Sequence, residues 1–334
     1  MEKTLNHTRT NIRRKCLVMK QPLMRRMIIA TLPCIAASVY FFGWRCLVIV
    51  FVSCCGAFIT EWFFVRKRNE PVSEAVFVSG ILYALIMPPT VPWHVLIFGI
   101  VFAILFGKMV FGGFGRNNFN PAMVGRAFVY ICFPVALTAT WILPAQGPWG
   151  ALGMWTSAGI DSITSATPMA LVKAGQIDVP SLSALFFGRI AGTMGVTSAL
   201  AILTGGLFVF ITKTANRTII ITVIGTYAAA NLIFALLGVA GSPGMLPALL
   251  GGGFLFGAFF MATDPISAPK TIQARILFAV IIGLCTIIIR TFSVFNGGLM
   301  FSILIANMFA PILDHAFARR KKRDRKSTQE AGSP

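Results

Sequence analysis

The stretch DSITSATPMA, Asp161–Ala170, sets Ser162, Thr164, Ser165 and Thr167 close together in a chain that is 56% hydrophobic. Thr167 follows the small Ala166 and precedes Pro168. A loop hydroxyl in this setting can become a covalent attachment point. The chemistry it points to is covalent attachment.

A second polar cluster is GGFGRNNFNPAMVGRAF, Gly112–Phe128. Its glycines let backbone approach a ligand closely. Asn117, Asn118 and Asn120 offer amide donors and acceptors that suit the imide edge of a flat heterocycle. A tight turn with an Asn helix cap explains the same residues equally well. No G-K-[ST] follows, so it is not a phosphate loop. Arg126, beside the asparagines, is a candidate partner for a cofactor.

Two carboxylates stand out. Glu61 lies in an apolar run one helical turn before Arg66-Lys67-Arg68. A carboxylate at membrane depth is costly and faces a cavity or a partner; pairing with those bases is the plainer account. Asp264, in MATDPISAPKT (Met261–Thr271), reads as the cap of a helix starting at Pro265 or as a member of an ion path. Gly251-Gly252-Gly253 reads as a close-packing site. Arg126, Arg189 and Arg290 are explained by snorkelling. The seven cysteines show no C-x-x-C spacing and the three histidines are isolated, which gives no support to zinc, iron–sulfur or haem ligation. No metal site is expected.

The elements that must position these residues are membrane helices. Only 12% of residues are charged, against about 25% in soluble domains, and mean hydropathy is +0.80. Apolar runs near the spanning length of about 20 residues predict an all-α integral membrane fold with ten spans: 27–43, 46–65, 75–87, 95–111, 122–143, 185–211, 218–237, 246–262, 276–289 and 299–317. The third ends at Pro88-Pro89, which a helix cannot continue through. With the N-terminus in the cytoplasm, Arg66-Lys67-Arg68, Arg116, Lys213, Arg217 and Lys270 fall inside, as the positive-inside rule asks. Both termini come out cytoplasmic, and the loop 143–184, with Thr167, comes out on the outer face. No cleavable signal peptide is expected. The domain reading is a basic tail over 1–26, a membrane domain over 27–318 and a basic tail over 319–334. Gly112–Arg126 and Ala262–Arg275 share a helix end, an Asn-Pro or Asp-Pro and an Arg, and read as an internal repeat.

The net charge is +19, but eight of the 29 basic residues precede Met27 and seven lie between Arg319 and Lys326. Basic tails flanking membrane helices meet lipid or solvent, so nucleic acid is not an expected partner.

GRNNFNPAMVGRAF, DSITSATPMALVK, FMATDPISA and GGLMFSILIANMFAPILDH, in this order, resemble the NqrB/RnfD family over about Met24–Ala318. These are membrane subunits of the sodium-translocating NADH:quinone reductase and of the Rnf electron-transport complex. The resemblance implies a ten-helix fold in the bacterial inner membrane. It implies FMN joined by a phosphoester to the Thr of Ser165-Ala166-Thr167, so that Thr167 is the attachment residue and a separate flavin transferase a maturation partner. It also implies a riboflavin in the membrane domain, for which Asn117, Asn120 and Arg126 are candidate contacts. Partner subunits, one carrying a second FMN, complete the complex. The chain lacks the long N-terminal extension expected of NqrB, and DSITSATP resembles RnfD; FVSGILYALIMPPT and FMATDPISAP read closer to NqrB. Length favours the Rnf-type subunit. No G-x-G-x-x-G follows a strand, so NADH oxidation falls to a partner. The leading reading is therefore a redox subunit of a translocase, with Glu61 and Asp264 on the ion path. A small-solute carrier and a structural anchor for other subunits are the alternatives.

Overall fold

The computed structural model describes residues 17–139, 141–145, 147–156, 181–239, 244–293 and 298–331, with side chains described as far as 319. Thr167, Ser165 and most of the loop 143–184 lie outside the described residues.

The chain is a bundle of helices: α1 (Pro22–Phe42), α2 (Arg45–Arg68), α3 (Ala75–Leu85), α4 (Trp93–Ile104), α5 (Pro121–Cys132), α6 (Pro134–Thr138), α7 (Leu182–Phe187), α8 (Ala199–Ile211), α9 (Arg217–Leu236), α10 (Met245–Leu250), α11 (Phe254–Phe256), α12 (Ile272–Phe292) and α13 (Gly298–Ala331). Wide π-turns extend α4 over Leu105–Met109 and α11 over Gly257–Met261. A short parallel pair, β1 (Val18–Met19) with β2 (Val72–Ser73), lies beside the start of α1. Five helices, α1, α2, α9, α12 and the first part of α13, are long and apolar enough to cross a membrane. Four shorter apolar helices accompany them. Side chains such as Ile29, Phe51, Ile59 and Phe63 point outward and are more than half exposed, as a lipid-facing surface requires. The molecule is a multi-pass helical membrane protein.

Each of the ten predicted apolar segments coincides with helix, but three are not continuous and a fourth stops early. The segment 122–143 stops at Cys132, because Pro134 offers no N–H to carry the ladder on. The segments 185–211 and 246–262 are interrupted at glycine-rich breaks. The third ends at Leu85, ahead of Pro88.

The breaks satisfy one another. The N–H of Met194 donates to Met87 O (3.1 Å) and that of Gly195 to Leu85 O (2.8 Å). A Cβ on Gly195 would stand 2.6 Å from the Leu85 side chain, so only glycine allows this approach. Irregular backbone at such depth is tolerated only when protein supplies its partners. Two buried arginines close further carbonyls. Arg45 donates to Val91 O (2.9 Å) and Thr156 O (3.0 Å) and lies over Trp93. Arg290 donates to Gly252 O (2.7 Å) and to the Tyr227 hydroxyl (2.9 Å). Arg290 is therefore a buried staple rather than a snorkelling residue, and Gly251–Gly253 is a helix break rather than a packing stripe.

The contact order repeats along the chain. α1 packs on α3, α2 on α3 and α4, and α4 on α5; α8 packs on α11, α9 on α10 and α12, and α12 on α13. The two sets join through α1 and α8. The strings Gly112–Arg126 and Ala262–Arg275 do not occupy matching places in this order. The first joins the fourth and fifth members of its set; the second, with α10 and α11 counted as the two halves of one broken segment, joins the third and fourth. Their likeness is one of helix-end chemistry, and both border the same cavity.

Candidate functional site

The site lies at the end of the bundle where α1 begins. There the N–H of Gln21 donates to Glu74, and Arg25 donates to the same carboxylate through Nε (2.9 Å) and Nη2 (2.6 Å). The Arg25 guanidinium and the Gln21 N–H hold the Glu74 carboxyl below the usual carboxylate range. Gln21 Oε1 in turn accepts from Ala75 N (3.1 Å). This clamp fixes the start of α1 against the turn before α3.

Behind the clamp sits a buried ion pair. Glu61, on the last turns of α2, is 1% exposed, and Lys108, in the π-turn after α4, is 2% exposed. Lys108 Nζ donates to Glu61 Oε2 (2.5 Å) and to Ser73 Oγ (2.6 Å). Glu61 Oε1 accepts from Ser73 Oγ (2.8 Å) and Ser73 N (3.0 Å). The ammonium also lies 5.7 Å from the centre of the Phe114 ring. Two charges so far from water persist only when paired and hydrogen-bonded, and both are. Glu61 does not pair with the bases that follow it. Arg66 lies over Trp62, Lys67 over Phe63, and Arg68 donates to Gly112 O (3.1 Å).

The pair opens on a cavity of about 580 Å³, its open mouth included, lined by Lys108, Phe114, Asn117, Asn120, Phe260 and Asp264 on one side and by Met24, Met27 and Leu82 on the other. The strings singled out in the sequence build its polar wall. Asn120 caps α5, its Oδ1 accepting from Ala122 N (3.0 Å) and Met123 N (3.4 Å), and its amide donates to Met261 O (3.1 Å). It thus ties the start of α5 to the end of the second π-turn. Asn117 donates to Phe119 O (3.1 Å), while its buried Oδ1 has no partner among the described residues. Asp264 accepts from Ser267 Oγ (2.8 Å) and Ile266 N (3.4 Å). Burial holds its carboxyl above the usual range, opposed by these hydrogen bonds and by Lys108.

Three sequence expectations change. Asp264 caps a turn, not a helix: α12 begins at Ile272, and its N-terminus is closed by Asp314 of α13, whose carboxylate accepts from Lys270 N (2.8 Å) and Thr271 N (3.0 Å). Arg126 does not line the cavity. It lies farther along α5, its charge felt by Tyr83 and Tyr130, and its Nε has no partner among the described residues. Asn118 is exposed. Sequence reasoning missed Lys108, Ser73 and Asp314. Lys108 had a signal, a lone cation inside the apolar run 95–111; Ser73 and Asp314 had none, since their partners are distant in sequence.

An orphaned, buried Asn117 Oδ1, in a wall shared with Phe114 and Phe260, fits the imide N–H of a flat ring, as the asparagine-rich sequence suggested. Among the described residues no group of three or more His, Cys, Asp and Glu could hold a metal.

The chain is 38% identical over 274 residues to the B-type subunit of the Na(+)-translocating NADH-quinone reductase of Chromohalobacter salexigens, covering 79% of this chain and 64% of that protein. It therefore spans less than two thirds of that relative's length. It is 35% identical over 321 residues to the D-type subunit of the ion-translocating oxidoreductase complex of Shewanella amazonensis, covering 88% of this chain and 91% of the relative. For the corresponding protein of Aliivibrio salmonicida the figures are 32% over 324 residues, 88% and 92%. The model of the NQR2, RnfD, RnfE family matches residues 10–323, and the chain belongs to that family.

Proposed function

We propose that this chain is the flavin-carrying membrane subunit of a complex that couples electron transfer to ion translocation, of the RnfD type. The observation that carries the reading is the buried Glu61–Lys108 pair opening on a cavity with an orphaned amide oxygen, inside a helical membrane bundle. A charged pair held out of water is a default functional site in a membrane protein. The RnfD-type assignment is supported by alignments that run over 88% of this chain and 91–92% of those relatives. The NqrB-type subunit of the Na⁺-translocating NADH:quinone reductase is the second reading, favoured by its higher identity of 38%.

In this reading the ten helical segments each cross the bacterial inner membrane, both termini face the cytoplasm and the cavity opens inward. Thr167 carries FMN through a phosphoester made by a flavin transferase. Riboflavin sits in the cavity. A bound flavin supplies electron transfer that neither side chain can perform. Asn117 Oδ1 would accept its imide proton, Phe260 would keep water from one face, and Asn120 holds α5 against the second π-turn so that the wall keeps its shape. Glu61 and Asp264 supply hard oxygen ligands for Na⁺ or sites for H⁺ on the way in. Partner subunits supply and remove electrons.

Co-expression with a flavin transferase, followed by a denaturing gel imaged under ultraviolet light, tests the attachment. A fluorescent band that vanishes in Thr167→Ala supports the reading; a dark band beside a labelled control protein refutes it. Complementation of strains lacking one or the other complex separates the RnfD-type reading from the NqrB-type one.

A further inference from the structure

The proposed function leaves Lys108 without a task. Its ammonium occupies the seat a carried cation needs, between Glu61 Oε2 at 2.5 Å and Ser73 Oγ at 2.6 Å. The same side chain lines the cavity, together with Asn117, Asn120 and Asp264. It is carried on a π-turn rather than on regular helix, and such turns recur at functional positions. Its stem is flexible and its charge compact. The ammonium therefore sits between two anionic destinations: the Glu61 carboxylate now, and the cavity whenever its occupant gains negative charge.

We propose that Lys108 is a tethered cation that holds the Glu61–Ser73 seat closed and is drawn toward the cavity when the bound cofactor is reduced, opening the seat to one monovalent cation. The proposal rests on the reading of the cavity as a flavin site and of Glu61 as part of the ion path. The charge balance closes. One electron arrives from a reduced one-electron carrier of a neighbouring subunit, a flavin or an iron–sulfur centre. No bond forms or breaks. The added negative charge attracts the ammonium, Glu61 loses its counter-ion, and one Na⁺ or one H⁺ replaces it. The site as a whole gains one electron and one cation. When the electron passes on, the ammonium returns and expels the cation. Asp264 lines the same cavity as Lys108. Phe114 covers the ammonium. A ligand that interacts differently with two states shifts their populations by that difference; here the difference is the position of a single charge.

The test is cation uptake, not turnover. Equilibrium binding of ²²Na⁺ to the purified complex is measured oxidised and after electrochemical reduction through a mediator, with proton uptake followed by a pH dye. Reduction of the wild type is expected to tighten cation binding about tenfold or more, because a buried carboxylate without its partner is a strong cation seat. Lys108→Gln is expected to bind tightly in both redox states, with no difference left between them. Lys108→Arg should keep most of the difference. If protons are the carried ion, the same pattern appears in proton uptake while ²²Na⁺ binding stays flat. A Lys108→Gln complex that keeps the redox-linked difference, or binds more weakly in both states, overturns the proposal. Glu61→Gln separates the two levels of the argument: uptake at the wild-type level in that variant refutes Glu61 as the seat itself. Should Lys108→Gln fail to assemble, the wild type decides alone, since an absence of any reduction-linked uptake that Glu61→Gln removes is equally fatal.

Discussion

Glu61→Ala should destabilise the protein by far more than the ion pair itself contributes. With both partners about 1–2% exposed, the gross attraction at 2.5 Å is about 7 kcal/mol at an effective dielectric near 20. Most of this offsets the cost of taking two charges out of water. Removing the carboxylate leaves that cost unopposed. Lys108 Nζ would keep only Ser73 Oγ and the Phe114 ring, and Ser73 N would lose its acceptor. The expected loss is about 3–5 kcal/mol. Glu61→Ala/Lys108→Met removes the stranded charge and should recover most of it. Unfolding in mixed detergent–dodecyl sulfate micelles can be followed by thiol-reactive dye, because Cys34 and Cys46 are fully buried and react only when the bundle opens. A single variant costing under about 1 kcal/mol, against the 3–5 expected, would refute the reasoning. So would a double variant as unstable as the single.

Three further outcomes are expected. Asp314→Ala should cost about 1–3 kcal/mol, as leaving backbone N–H donors without their acceptor does, read as a lower dodecyl sulfate midpoint; Asp314→Asn should retain part of it. Because Arg25 holds the Glu74 carboxyl low, the clamp's stabilisation is complete above the unfolded value of about 4.3 and is lost as pH falls through the folded one. Arg25→Gln should flatten that acid limb of stability against pH. For Asp264 the sign is opposite: burial raises its carboxyl, so ionisation penalises the fold as pH rises through the folded value. Asp264→Asn should therefore be more stable than wild type at neutral pH and lose its dependence there, while cation uptake declines. Equal stability of Asp264→Asn and wild type across that range would count against the assignment.

Composition and hydropathy were enough to establish a helical membrane protein, because burial in lipid demands long apolar runs whatever their partners. The string around Asn120 was legible as a helix start because capping is local chemistry, a side chain two or three residues from the N–H it accepts from, whereas Asp264, read the same way, caps only a turn. Glu61 was legible as a costly charge, but not as half of a pair. Its partners Ser73 and Lys108 are 12 and 47 residues away, and only the return of β2 along α2 and the packing of α2 against α4 and its π-turn bring them together. The same holds for Asp314, which closes a helix 43 residues before it. The breaks at Leu85–Met87 and Met194–Gly195 show the limit most clearly. Pro88-Pro89 announced that a helix must stop, yet the backbone groups so exposed are satisfied by a segment about 110 residues on. Local sequence dictates where regular structure ends; only tertiary structure supplies the partner that makes the ending tolerable in a membrane.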